Sequence, residues 1–255
     1  MTLRIRSLLF FAFTAVLACG SDDPPAGDDD VSSSTADLSA DATAEAALIA
    51  ATLPPVDMLG DADGEAIAAA AAASLEAILE ACATSQVAGT TVTWTLAGCS
   101  GDWAMATLDG TISATYRPIA GTVEATIAID VVTEAGSSIM VDADVAYAMT
   151  DTGATLTVGS TAEGVGPRGA DTTRSGDYTL RVAGDCLTLD GTWEGTRAAN
   201  WTLTVSGYSI CAGGCPSGSI SRTGRITASV SFDGSDQATL TTGDGSETVT
   251  LACGA

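Results

Sequence analysis

The chain has 255 residues and a formal charge of −23, with nine Arg, no Lys and no His against 32 Asp and Glu. A surface this acidic repels phosphate backbones and anionic headgroups, so nucleic acid is excluded as a partner and divalent cations or basic molecules are favoured. The missing His removes Ser-His-Asp and Cys-His catalysis and imidazole metal sites, and the missing Lys removes Schiff-base chemistry and the P-loop, leaving carboxylate, hydroxyl, thiol and Arg chemistry.

Arg4 and Arg6 precede an eleven-residue apolar run, Leu8 to Ala18, which contains three Phe. That run is too short for a bilayer-spanning helix, which needs about 20 residues, and it has the layout of an export signal. Its end, Val16-Leu17-Ala18-Cys19, resembles the lipobox of bacterial lipoproteins. The resemblance implies that residues 1–18 are removed, that Cys19 is acylated, and that the protein reaches the membrane through this anchor. Gly20 follows the Cys where the inner-membrane retention signal of enteric lipoproteins has Asp, which points to the outer membrane and leaves open which face the domain occupies.

Residues 19–38 form a lipidated Cys and an acidic tether; positions 20–37, GSDDPPAGDDDVSSSTAD, hold six Asp and one isolated Val. With so little to bury, this segment is expected to be disordered, and Asp28-Asp29-Asp30 reads as a solvated spacer. Residues 39–64 form a short Ala-rich helix ending before Pro54-Pro55, followed by a linker. From Glu65 to Cys82 the larger apolar residues Ile67, Leu75, Ile78, Leu79 and Cys82, with Ala71, lie on one helical stripe, and Asp61 or Asp63 serves as N-cap. Asp61-Ala62-Asp63-Gly64-Glu65 is not a calcium loop, because that frame puts Leu59 at the first ligand position and Ala70 at the twelfth.

From Thr90 the period changes to two. Val92, Trp94 and Leu96 oppose Thr91, Thr93 and Thr95, and the same alternation recurs to Leu251, punctuated by turns such as Gly184-Asp185 and Asp233-Gly234. Residues 65–255 are therefore expected to form one mainly β domain: a curved antiparallel meander of about ten strands, a half-barrel or open barrel, with the Ala-rich helix packed on it. The scattered aromatics do not make the two girdles of a membrane-spanning barrel.

With Cys19 acylated, Cys82, Cys99, Cys186, Cys211, Cys215 and Cys253 make an even set in an oxidising compartment, which reads as three disulfides. Cys82 with Cys99 pins helix to sheet. Cys211 with Cys215 and Cys186 with Cys253 complete the favoured set, and Cys186 with Cys211 and Cys215 with Cys253 is the alternative.

Two clusters are candidates for chemistry. Glu124, Asp130, Asp142 and Asp144 fall on the polar face of two neighbouring strands, where they either bridge a calcium ion or work as an acid–base pair on a glycoside; the plainer reading is a solvated face. Trp94, Trp193, Trp201 and Tyr208 are placed to pack in the core, to stack on a sugar, or to line a cavity for a lipid-like ligand. The repeats Leu108-Asp109-Gly110-Thr111 and Leu189-Asp190-Gly191-Thr192 read as strands with a Gly kink.

The stretches Leu96-Ala97-Gly98-Cys99, Leu187-Thr188-Leu189-Asp190-Gly191-Thr192-Trp193, Cys211-Ala212-Gly213-Gly214-Cys215-Pro216 and Leu251-Ala252-Cys253 resemble those of a loose group of uncharacterised β-rich bacterial lipoproteins. The likeness covers residues 65–255 and implies no activity. The expectation is a lipid-anchored extracytoplasmic β-domain with a non-enzymatic binding or envelope-structural role; the alternatives are a carrier of an apolar ligand between sheet and helix, and a carboxylate-dependent hydrolase. No cofactor is expected, apart from calcium at the acidic cluster.

Overall fold

The computed structural model describes residues 45–253, apart from 47, 56–62, 80–81, 102–103, 134–135, 152, 166–170, 198, 226 and 252. The export signal, Cys19, the tether and Asp61 lie outside the described residues.

The protein is mainly β. Thirteen antiparallel strands form one sheet in strict sequence order: β1 (Ala83–Ala88), β2 (Thr91–Gly101), β3 (Ala104–Ile119), β4 (Thr122–Thr133), β5 (Ser138–Thr150), β6 (Gly153–Val165), β7 (Asp171–Ala183), β8 (Cys186–Arg197), β9 (Ala199–Cys211), β10 (Ser217–Thr223), β11 (Ala228–Asp233), β12 (Gln237–Thr242) and β13 (Gly245–Thr250). The order is a pure meander with β1 and β13 at its two ends. The structure has more than the roughly ten strands expected, and the strands that the alternation of the sequence does not mark are β1 and β10. β1 is exposed along most of its length, including Val87, and β10 is a Ser- and Gly-rich strand half-buried on both faces. Neither has the one-sided burial that imprints an alternating pattern.

The helix α1 (Gly64–Leu79) packs on β1, β2 and β3. Asp63 caps it, its carboxylate accepting the N–H of Ala66 at 2.8 Å, as an N-cap side chain does. Its inward stripe is Ile67, Ala68, Ala71, Ala72, Leu75 and Leu79. The small Ala residues let the helix lie close to the sheet, and the indole Nε1 of Trp94 reaches the Ala72 carbonyl at 3.4 Å. Glu76 accepts the Ser85 N–H at 2.7 Å, tying the helix to the edge strand β1. The helix ends at Leu79, so Cys82 lies beyond it. Upstream, the described residues of 45–51 are helical, with Ile49 fully buried, and Pro54 follows the turn at Thr52 as expected.

Side chains alternate between a buried inner face and a wet outer one. On β4 the inner set is Val123, Ala125, Ile127, Ile129 and Val131, and on β5 it is Val141, Ala143, Val145 and Tyr147. Inner positions stay buried through Trp201, Leu203 and Val205 on β9 and then become half-exposed at Ile220, Val230 and Leu240 on β10 to β12. Among the described residues, no helix is long and apolar enough to cross a membrane.

The repeated Leu-Asp-Gly-Thr motif has a structural role. Each Asp lies on a strand beside a register shift, between Leu96 and Cys99 in the β2–β3 pair and between Leu189 and Gly191 in the β8–β9 pair. In each case its carboxylate accepts the N–H of a left-handed glycine on the neighbouring strand: Asp109 from Gly98 (φ 63°) at 2.8 Å and Asp190 from Gly207 (φ 56°) at 2.7 Å. A bulge leaves one N–H outside the ladder, and here a carboxylate satisfies it. In the related stretch Phe232-Asp233-Gly234-Ser235, Asp233 instead caps its own turn by accepting the Ser235 hydroxyl at 2.6 Å and its N–H at 2.9 Å. These bonds hold the Asp233 carboxyl below its ordinary range.

Candidate functional site

The cysteines form three disulfides, Cys82–Cys99, Cys186–Cys211 and Cys215–Cys253. The first agrees with expectation. The pairs Cys211–Cys215 and Cys186–Cys253 are corrected: Cys186 and Cys211 are direct cross-strand partners at the ends of β8 and β9, which brings their Cα atoms to 3.9 Å. Cys215, in the loop before β10, is thereby left to tie Cys253, beyond the last strand, back to the sheet. The Asp185 carboxylate lies within 4.8 Å of the sulfurs of Cys186 and Cys211, but those sulfurs are bonded to each other and present no thiolate to a metal.

Glu124, Asp130, Asp142 and Asp144 all lie on the outer face, as the alternation required. The register separates them: Asp142 faces Ala128, Asp144 faces Thr126, Asp130 faces Met140 and Glu124 faces Ala146. No two are direct cross-strand neighbours, which removes the strongest like-charge repulsion. Glu124 pairs with Arg117, and Asp144 accepts the Thr126 hydroxyl at 3.5 Å. Among the described residues, no three of their oxygens converge as a cation site requires. The four carboxylates are thus spread along a solvated surface.

The inner face holds the less ordinary chemistry. Glu45 and Arg174 form a buried ion pair, with side-chain exposures of 1 % and 7 %. Both Nε and Nη2 of Arg174 donate to one oxygen of Glu45, and Ser160 donates to the other at 2.6 Å. Seven residues on, Thr52 offers its carbonyl to the buried Tyr116 hydroxyl. The 45–52 segment is therefore fixed to β6 and β7 at one end and to β3 at the other. Sequence reasoning missed this site because Glu45 is one acid among 32 and Arg174 stands 129 residues away.

Beside this pair lies an aromatic cluster. Tyr178 stacks on Trp193 with ring centroids 4.9 Å apart, and Tyr208 meets Phe232 edge-on at 5.4 Å. Glycines opposite the rings make room: Gly176 pairs with Trp193, Gly191 with Tyr178 and Gly195 with Trp201. A Cβ on Gly176 would fall 2.5 Å from the Trp193 ring and one on Gly195 would fall 2.7 Å from the Trp201 ring. Large rings laid over cross-strand glycines shield backbone that carries no side chain of its own.

The polar tips divide by position. Beneath the N-terminal elements they are satisfied: Trp94 by Ala72, Tyr116 by Thr52. On β7 to β9, the hydroxyls of Tyr178 and Tyr208 and the indole N–H groups of Trp193 and Trp201 are buried with no hydrogen-bond partner among the described residues. Burial raises the phenols of Tyr116, Tyr178 and Tyr208 above the ordinary tyrosine value, with nearby Glu45 adding to the effect at Tyr178. Groups held neutral in the folded state, but free to ionise once unfolded, contribute stability that is complete below pH about 10 and is lost as pH rises beyond it. Phenolate absorbance of these three should therefore appear only together with unfolding in an alkaline titration, and early ionisation of all three in the folded chain would contradict their burial.

Arg222 also faces inward on β10, opposite Leu203 and Ala228, and partial burial lowers its guanidinium below the usual value. Sequence alternation had placed Trp94, Trp193 and Trp201 on the inner face correctly. The partnering of each indole was beyond it, because that depends on which covering element lies above each strand. No family model, no curated protein and no solved structure matches this chain.

Proposed function

We propose that this protein is a lipid-anchored, extracytoplasmic β-domain with a non-enzymatic binding role in the bacterial cell envelope, held at the outer membrane through Cys19. The lipobox-like Val16-Leu17-Ala18-Cys19 and the three disulfides support the placement, since such bonds persist in oxidising compartments. The observation that carries the binding role is the fading of burial across one continuous apolar face, complete on β2 to β9 and partial at Ile220, Val230 and Leu240. An apolar surface left half-exposed at one side of a closed core is where a ligand or partner adds burial.

The sheet bends, in this reading, into an open half-barrel around α1 and the 45–52 segment. Glu45 and Thr52 are seven residues apart, about 10.5 Å along a helix, yet they bond to β7 and β3, which lie roughly 19 Å apart in a flat sheet at four strand spacings. That difference supports a curved sheet. A carrier of an apolar ligand is the second reading, favoured by the same face. The hydrolase reading is the weakest, because Glu124, Asp130, Asp142 and Asp144 lie on the outer face and do not converge.

The anchor is tested by fractionation. The wild-type chain should partition with membranes and into a detergent phase, and Cys19→Ser should release it to the aqueous fraction. Identical partitioning of the two would sink the lipid-anchor assignment.

A further inference from the structure

The unpaired tips of Trp193, Trp201, Tyr178 and Tyr208 are the feature least compatible with a face that only packs on itself. A buried donor without a partner is destabilising, and four on neighbouring strands are a recurrent cost with no structural return. An indole N–H can only donate, so what satisfies it must bring an acceptor. The buried polar groups next to the cluster are already engaged, Ser160 and Arg174 with Glu45. Among the described residues no protein acceptor reaches them, so the acceptor is a buried water or part of a bound ligand, and only a ligand also covers the half-exposed apolar row beyond.

We propose that the inner face of β7 to β12 binds an acyl-chain amphiphile whose oxygen-bearing head accepts hydrogen bonds from Trp193, Trp201 and Tyr178, and whose chain lies over Ile220, Val230 and Leu240. The site deepens, and rests on, the binding-domain reading above. Register supports the path of the chain, since Val205, Ile220, Val230 and Leu240 are successive cross-strand partners and form one apolar row from β9 to β12. The row begins beside the aromatics and runs outward to half-exposed positions, so the chain can enter from the open side. Arg222 occupies the next inner position on β10 beyond Ile220 and gives that end a positive charge in a strongly acidic protein. A carboxylate head is therefore favoured over a neutral ester. Tyr208 lies on the other side of Val205 from Arg222, past the register shift between Ser217 and Ser219, with its ring edge-on to Phe232.

The test uses the full chain carrying Cys19→Ser, so that no acyl group of its own competes, titrated with parinaric acid and with its methyl ester. Saturable one-to-one binding of the acid is expected. Tyr178→Phe keeps the ring and removes only the donor, and it should weaken binding about fivefold to tenfold, as the loss of one hydrogen bond does. Tyr116→Phe is the control, because its hydroxyl is already bonded to the Thr52 carbonyl; it should lower the thermal midpoint and leave affinity unchanged. In the unliganded protein Tyr178→Phe should leave the midpoint unchanged or raise it. Arg222→Gln should weaken the acid and spare the ester; equal affinities for the two probes in the wild type would make the head a neutral ester at the same site. No saturable binding of either probe overturns the proposal, and so does binding unaffected by Tyr178→Phe. An unliganded midpoint lowered as far as in Tyr116→Phe also overturns it, since the Tyr178 donor would then already be satisfied. Each of these failures leaves the lipid-anchored placement standing, because fractionation of the Cys19→Ser chain reads that separately.

Discussion

Glu45→Gln should cost about 3–5 kcal/mol of folding stability, the penalty for leaving one member of a buried ion pair without its counter-charge. The Arg174 side chain is 7 % exposed and directs two of its N–H groups at a single Glu45 oxygen. Gln preserves the size of the side chain and an acceptor for Ser160, so the loss isolates the charge. Urea midpoints at constant m-value would measure it. Glu45→Leu combined with Arg174→Met should recover most of the loss, since neither variant residue then needs solvation inside the protein. The exposed pairs Arg117–Glu124 and Arg181–Asp190, with side chains 36–73 % accessible, should contribute less than about 1 kcal/mol each when broken, because water and salt screen them. A cost below 1 kcal/mol for Glu45→Gln would mean that the 45–52 segment is not docked on the sheet in solution. Hydrogen exchange at Ile49 to Thr52 would locate the change, because the Glu45–Arg174 pair and the Tyr116–Thr52 bond fix the two ends of that segment.

Much of this fold was written in local pattern. Period-two alternation from Val92 to Leu251 identified most of the strands and the inner face, because burial on one side of an antiparallel sheet imposes that period directly on the chain. The helix was legible from the stripe that Ile67, Ala71, Leu75 and Leu79 make, and its cap from Asp63. β1 and β10 escaped because exposure on both faces removes the constraint that creates a pattern. The acidic set Glu124, Asp130, Asp142 and Asp144 was placed on the right face, yet whether its members converge is a question of register, which alternation does not specify beyond parity. Register also decided the cysteines: sequence proximity favoured Cys211–Cys215, whereas the β8–β9 pairing sets Cys211 directly against Cys186. The Glu45–Arg174 pair and the unpaired indoles depend on which segment crosses above which strand, and no window of the sequence contains that relation.

Removing the Cys215–Cys253 disulfide should cost about 4 kcal/mol by loop-closure entropy, more than the roughly 3 kcal/mol for Cys82–Cys99, since the bonds span 38 and 17 residues and the unfolded-state constraint grows with the closed loop. The difference should exceed what entropy alone gives, because the two bonds brace unlike regions. Cys82–Cys99 joins the end of α1 to β2 where Leu75, Trp94 and Cys99 are all fully buried, so packing survives the loss of the bond. Cys215–Cys253 closes around β10 to β13, whose buried side chains among the described residues reduce to Phe232 and Ala238. Strands with so little burial rely on ladder hydrogen bonds and on the covalent link, and a short meander at a sheet edge is marginal without either. The Cys215→Ala, Cys253→Ala double variant should therefore lose amide protection in β10 to β13 while β2 to β8 keep theirs, and Cys82→Ala with Cys99→Ala should lower global stability without that division. Peptide mapping of the unreduced chain should recover Cys186 with Cys211 and Cys215 with Cys253. Recovery of Cys211 joined to Cys215 would restore the pairing favoured by sequence proximity and leave the last four strands without their covalent brace. Uniform protection across the sheet in the Cys215→Ala, Cys253→Ala chain would show instead that packing on the inner face of β9 carries those strands by itself.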